Sequence, residues 1–544
     1  MGRLNVRFVF LLGITAAIPL LATALFNALR FPGAEGLAQQ STAVWPYDSY
    51  HDMRWLLVYH DSWLVFGLGF AGAVVVRGVL SAVLVRLAWP RELHCVSLRR
   101  LVVRNLAIAL LAAVLVAPFA ALAVAASVVS LSWFLFASLL PMILLAPILQ
   151  RGAVGRGWWR GLPSAELVGW SILDFVTITA AGAIVWRSPG IWALVAAGGC
   201  GAVNGVLWER TVRAAVLPSH IRWRRVPVAP LVILAALLIP LTVPVVTALR
   251  PGSTNTFRPP VLTGPLPPSV SYAVIVLAGH NSAYDGRPAV DPAVEVFSYA
   301  GLDAQGRPRP YSSRDTRRSL ESSSDLLAAQ VNDLHRRTDR PVALLGESEG
   351  AMVARTYLMR EPESPVRALL MFSPLVRAGR AYYPPPQAGK GWGLAAGWQL
   401  RGIFGLINLI SGRHDSPDEP FVRSLLDNAP FYRYQTLCPV PGVRVIIFLP
   451  TVSAAESPPA PYAFAPVYEV PALHGGLLSQ AVVHDQLIEF LAGEEVGASR
   501  PEYGILQVLG AAWQAPTLPI TVNPAWNTPK GRPFDVGRIC QGSG

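Results

Sequence analysis

Charge is scarce in this 544-residue chain: 14% of it is Asp, Glu, Lys or Arg, against about 25% in an ordinary soluble protein. The shortage is uneven and excludes a uniformly water-facing globule. Residues 1–250 are a succession of long apolar runs, whereas 251–544 has the mixed, proline-rich texture of a globular domain. Lysine is rarer still, present only at Lys390 and Lys530. The net charge of +12 therefore rests on arginine, and many of those arginines crowd short stretches between apolar runs. That is a topology signal and argues against a nucleic-acid-binding face. No pair of Gly/Pro-broken helices recurs in corresponding halves, so no transporter-type repeat emerges.

What is present in the first half is membrane sequence. A span needs about 20 mostly apolar residues, and seven stretches qualify: 8–29, 62–85, 105–126, 129–149, 166–186, 190–208 and 226–249. Residues 1–249 thus read as a seven-span helical bundle. Fifteen arginines fall on one side of these spans, among them Arg86, Arg91, Arg99, Arg100, Arg104, Arg151 and Arg160, and five on the other: Arg30, Arg54, Arg187, Arg250 and Arg258. The bias places the N-terminus in the cytoplasm and the C-terminal half outside. Arg77 and Asp174 lie within spans. Arg77 reads as snorkelling and Asp174 as sitting near a span end, with an Arg77–Asp174 pair as the other possibility. His51-Asp52 and His60-Asp61 lack metal-ligand spacing, and the first outer loop reads as wet and interfacial. The Arg-, Ala-, Gly- and Pro-rich composition fits a bacterial cell envelope and its plasma membrane. Cys438 and Cys540 both fall in the outer half, where an oxidising compartment would let them pair.

Residues 250–270 are a Pro/Gly-rich linker. From 271 the texture is α/β: apolar runs at 272–278, 294–300, 341–346, 366–373, 443–449 and 466–470 alternate with helical stretches. Continuous apolar strands between helices predict a mostly parallel sheet covered on both faces. Between the third strand and the helix after it stands Gly346-Glu347-Ser348-Glu349-Gly350. At average usage a chain of this length holds roughly 0.2 Gly-x-Ser-x-Gly matches by accident. Here the match lies where a nucleophile must be thrust out of a strand-to-helix turn, over helix-end amides that favour developing negative charge.

With this elbow, the strand and loop "VIVLAGHNS" before it and a histidine near the domain's end, residues 271–495 resemble the α/β-hydrolase family. The resemblance implies a serine esterase or lipase, with Ser348 as nucleophile. His474, in the loop after the last strand, is implied as general base in preference to His484 on the closing helix. The acid is implied after the penultimate strand, where no Asp occurs; Glu456 is the carboxylate of that loop, and Asp415, Asp418 and Asp427 are alternatives. The oxyanion donors are implied to be the backbone N–H of Glu349 and one from His280 or Asn281. Glu347 and Glu349 flank the nucleophile, and the side chain of Glu349 is expected to point away from it, toward an arginine. Residues 377–437 form an apolar insertion, implied as a lid, in which Trp392, Trp398, Phe404, Leu406 and Leu409 could wall the site or touch the bilayer. Residues 496–544 extend past the domain. The chemistry calls for no metal or cofactor. The expected partners are the membrane lipid bilayer and a lipid or acyl-ester substrate; an acyltransferase and a non-catalytic receptor or scaffold are the competing readings.

Overall fold

The computed structural model describes residues 6–29, 34–126, 138–155, 157–217, 226–249, 257–375, 382–411, 415–427, 438–450, 465–470, 472, 474–475, 477–494, 496, 509 and 512–513. Its N-terminal half is helical: α1 Val6–Ala28, α2 Tyr47–Val58, α3 Trp63–Leu87, α4 Leu98–Ala126, α5 Leu140–Val154, α6 Ala165–Arg187, α7 Ile191–Val216 and α8 Val228–Leu249. Among the described residues five of these (α1, α3, α4, α6 and α7) are long and apolar enough to cross a membrane, which marks an integral membrane protein. The other two expected spans correspond to α5 and α8, whose described apolar stretches are shorter.

The first outer loop is not wet. Residues Glu35–Thr42 form a 3-10 helix that is buried from Gly36 onward, and α2 inserts into the bundle behind it. The polar residues that made this segment look solvated satisfy one another inside. Arg77 does not snorkel and does not pair with Asp174: its guanidinium grips Asp52 with Nε–Oδ2 at 2.5 Å and Nη2–Oδ1 at 2.6 Å. Asp52 also takes the His51 Nδ1 at 3.0 Å. Asp174 is fully buried on α6, where it accepts the Val44 N–H at 3.4 Å. Arg54, counted above as a loop cation, is buried, with its guanidinium against Gln40, the carbonyl of Trp513 and the Tyr50 ring.

Trp513 is the other surprise. Ala512 and Trp513, in the stretch expected to extend past the C-terminal domain, lie against the helices. The Trp513 indole stacks on Phe175 at 5.0 Å and donates to Thr179 Oγ1 at 2.8 Å, while Gln40 donates to the Ala512 carbonyl at 2.5 Å.

The C-terminal half is built on six parallel strands: β1 Ala273–Leu277, β2 Val294–Val296, β3 Val342–Glu347, β4 Val366–Phe372, β5 Arg444–Pro450 and β6 Val467–Val470. Their order is β2-β1-β3-β4-β5-β6. Helices α9 Leu320–Thr338, α10 Glu349–Arg360 and α13 Ala481–Leu491 flank the sheet, and β1, β3 and β4 are apolar and buried along nearly their whole length. Strand order reverses between β1 and β3. In open parallel sheets the crevice beyond the strand C-termini at such a reversal is where ligands sit.

The insertion contributes α11 Leu394–Ser411 and α12 Pro420–Asp427. Its described part is fastened to the helical half. The Gly391 N–H donates to the Asp61 carbonyl at 2.7 Å, the Gly393 N–H to the His60 carbonyl at 2.9 Å, and the Ala395 N–H to His60 Nε2 at 2.7 Å. Beyond that joint, α11 packs against α2, α3, α4 and α8. Cys438 is held in a disulfide and Cys95 and Cys200 are free; Cys540, the remaining cysteine, lies outside the described residues.

Candidate active site

Ser348 closes β3 and opens α10 with φ 54° and ψ −111°. A side chain rarely adopts that conformation, and it is held here because the flanks leave no alternative. The Ser348 N–H donates to the Phe372 carbonyl at the end of β4, at 2.8 Å. A Cβ on Gly346 would sit 2.6 Å from the Ala351 backbone, and one on Gly350 would sit 2.4 Å from the Leu277 carbonyl oxygen. Both glycines of the motif are therefore demanded by close approach: the first lets α10 fold back on β3, and the second lets it lie against the end of β1.

The turn delivers the hydroxyl to His474. Ser348 Oγ lies 2.9 Å from His474 Nε2, a hydrogen bond between residues 126 apart in sequence. Burial pushes the His474 imidazole down to about 4, favouring the neutral ring able to accept a proton. His484 lies ten residues further on, in α13. Glu347 secures the histidine's loop from beneath: its buried carboxyl accepts the Leu477 N–H, and burial raises it to about 7.

Glu349 does not reach an arginine. Fully buried, it takes His280 Nδ1 on Oε2 at 2.9 Å, while His280 Nε2 meets Glu419 Oε1 at 3.0 Å. The imidazole is thus clamped between two carboxylates and stacks on Phe421 at 5.1 Å and 19°. Burial would lower His280, but the hydrogen bonds to Glu349 and Glu419 outweigh it and carry the ring up to about 10. The ring is an imidazolium near neutrality. Arg317 extends the network, 3.7 Å from Glu419 and paired with Asp415. This linked set crosses from the elbow through the β1 loop to the insertion.

Of the two oxyanion donors considered after β1, Asn281 is already committed: its N–H donates to Thr316 Oγ1 at 3.0 Å, in a left-handed turn with φ 60°. That corrects the expectation for Asn281 and leaves the His280 N–H on this loop and the Glu349 N–H at the head of α10. Gly279 permits the approach, since a Cβ there would lie 3.2 Å from the Ser348 Cβ.

Glu456 lies outside the described residues. The three alternative acids are engaged elsewhere: Asp415 with Arg317, Asp418 with Arg401 at 2.6 Å, and Asp427 with Arg423 at 2.6 Å. Glu419 and Thr316 are the site neighbours that sequence reasoning missed. Neither sits in a motif, and each reaches the site only through folding of a distant segment. No family model, curated protein or solved structure matches this chain.

Proposed function

We propose that this protein is a membrane-anchored serine hydrolase of the α/β-hydrolase type that cleaves ester or thioester bonds of lipid or acyl substrates. The observation that carries the reading is the 2.9 Å approach of Ser348 Oγ to His474 Nε2, made from a left-handed strand-to-helix turn. In the reaction, Oγ attacks the acyl carbonyl while His474 Nε2 takes its proton. The imidazolium then returns that proton to the leaving alcohol or thiol; water, deprotonated by the same nitrogen, attacks the acyl-enzyme, and the imidazolium gives its proton to Ser348 Oγ as the acid leaves. The oxyanion of each tetrahedral intermediate is received by the Glu349 and His280 N–H groups. Glu456 is the carboxylate proposed to orient His474. The cationic His280 ring offsets the Glu349 carboxylate, which would otherwise oppose negative charge at the neighbouring amide.

The arginine bias supports a cytoplasmic N-terminus and an extracytoplasmic catalytic half in a bacterial plasma membrane. The apolar insertion beside the site supports a lipid or long-chain acyl substrate.

The test is covalent labelling of the full chain by a fluorophosphonate in detergent micelles. Labelling is expected in the wild type and lost in Ser348→Ala. His474→Ala is expected to slow it by about 10³-fold or more, as removal of a catalytic base does. Labelling that persists in Ser348→Ala, or that fails in a folded wild type, overturns the reading.

A further inference from the structure

Helix α11 has its polarity reversed with respect to water. Its exposed positions are Trp398, Gly402, Gly405, Leu406, Leu409 and Ile410, one stripe at i, i+4, i+7, i+8, i+11 and i+12 without a polar side chain. Leu409 is 83% exposed, and Trp398, Leu406 and Ile410 are each about half exposed. The helix's hydrogen-bonding side chains turn inward. Arg401 pairs with Asp418 at 2.6 and 2.9 Å, and Asn408 donates to the Asp415 carbonyl at 2.7 Å. In water a surface helix puts its charges out and its leucines in. Contiguous apolar faces of this kind mark contact with another apolar phase.

The surroundings say which phase. α11 packs against α2, α3, α4 and α8. It is tied at its start to His60 and Asp61, immediately before α3. The head of α3 exposes Trp63, Leu64, Val65 and Leu68, and α8 exposes Leu231, Leu234, Leu237 and Leu238. The α11 stripe therefore continues the apolar girdle of the spans. Trp398 and Trp63 are the amphipathic rings expected at a membrane–water boundary.

We propose that α11 is a membrane-seated helix whose Trp398–Ile410 face lies in the bilayer, holding the sheet half against the lipid surface. Its C-terminal end leads to residues 415–419, whose Glu419 holds His280, so the lipid contact lies one continuous segment from the elbow. The inference concerns where the helix sits and stands whether or not Ser348 is a nucleophile.

The test is nitroxide labelling of the full chain in nanodiscs of phosphatidylcholine and phosphatidylglycerol, in a Cys95→Ser, Cys200→Ser background. Labels are placed one at a time by Leu409→Cys and Ile410→Cys, with Leu234→Cys on α8 as lipid reference and Arg287→Cys as water reference. Power saturation by oxygen and by a neutral nickel chelate is compared. At Leu409 and Ile410 the oxygen-to-nickel accessibility ratio is expected to match Leu234 and exceed Arg287 several-fold. A ratio equal to that of Arg287 overturns the proposal by placing the face in water. Exclusion of both relaxants, with dipolar broadening between labels, overturns it in favour of a second copy of the chain. Should either variant fail to fold, Leu406→Cys reads the same face.

Discussion

At the scale of single residues, the site is an arrangement of protons. His474 is neutral because burial outweighs the charged form, so it can serve as a base in mildly acidic solution. The rate of fluorophosphonate labelling is expected to fall with a midpoint below the ordinary imidazole value of about 6.5, toward the value of about 4 that burial alone favours. A midpoint at or above about 6.5 would show that burial does not set the basicity of this ring. His280 behaves oppositely. Its folded value lies near 10, above its unfolded value, so its stabilisation is complete below about pH 6.5 and is lost as pH rises through about 10. Urea unfolding of the full chain in micelles is expected to show a midpoint that declines between pH 7 and 10, and His280→Ala is expected to flatten that slope. At pH 7 the same variant leaves the fully buried Glu349 without its cation, while Glu419 keeps Arg317, and is expected to cost about 3 kcal/mol. Ser348 and His474 were legible in the sequence because motif, strand and chain order all point to them. Glu419 was not, since the residue that clamps His280 comes from an insertion with nothing local to mark it. The partner of Glu349 was misjudged for the same reason: an arginine was expected, and a histidine on a separate loop took the place.

At the scale of elements, all six strands were legible: the central ones are nearly continuous apolar runs bounded by turns, and the edge strands β2 and β6 are short β-branched runs broken by a single glutamate each. The segment Tyr47–Val58 was not. Its Asp, His and Arg side chains read as water-facing, and only the folded structure shows Arg77 arriving from α3 to receive Asp52. Composition counts polar groups but cannot say that they will meet each other. The joint between α2 and the insertion is of the same kind. His60 is buried and accepts the Ala395 N–H, a contact between residues 335 apart. His60→Ala removes that acceptor from the first turn of α11. It is expected to raise amide hydrogen exchange across 391–400 by about 10-fold or more, consistent with loss of a helix-start partner together with side-chain packing. Exchange within β3 and β4 is expected to stay unchanged; an equal rise in both regions would mean global loosening and would sink the assignment of this joint.

At the scale of the whole molecule, each half has its own hydrophobic core, and Ala395, Leu400 and Trp513 pack into that of the helical half. The Arg77–Asp52 pair joins α3 to α2 within the helical half, and its loss should be felt there first. Asp52→Leu strands a guanidinium in an apolar bundle and is expected to cost about 3–5 kcal/mol, read as a lower midpoint for heat-induced loss of the monodisperse peak in detergent. Arg77→Leu combined with Asp52→Leu is expected to recover much of that loss, because neither charge is then left alone. A double variant no better than the single one would show that the pair's geometry, and not its charge balance, holds α2 in place. The return of Trp513 to the helices carries a consequence for how the protein is made. Arg54 and Trp513 are 459 residues apart. While a ribosome adds those residues, the bundle already in the membrane has a socket with Arg54, Gln40 and Thr179 at its walls and no occupant. The helical half is thus completed by one of the later pieces to be synthesised. A chain cut short before residue 512 would carry every span and still present the cell's quality control with an unfinished membrane protein.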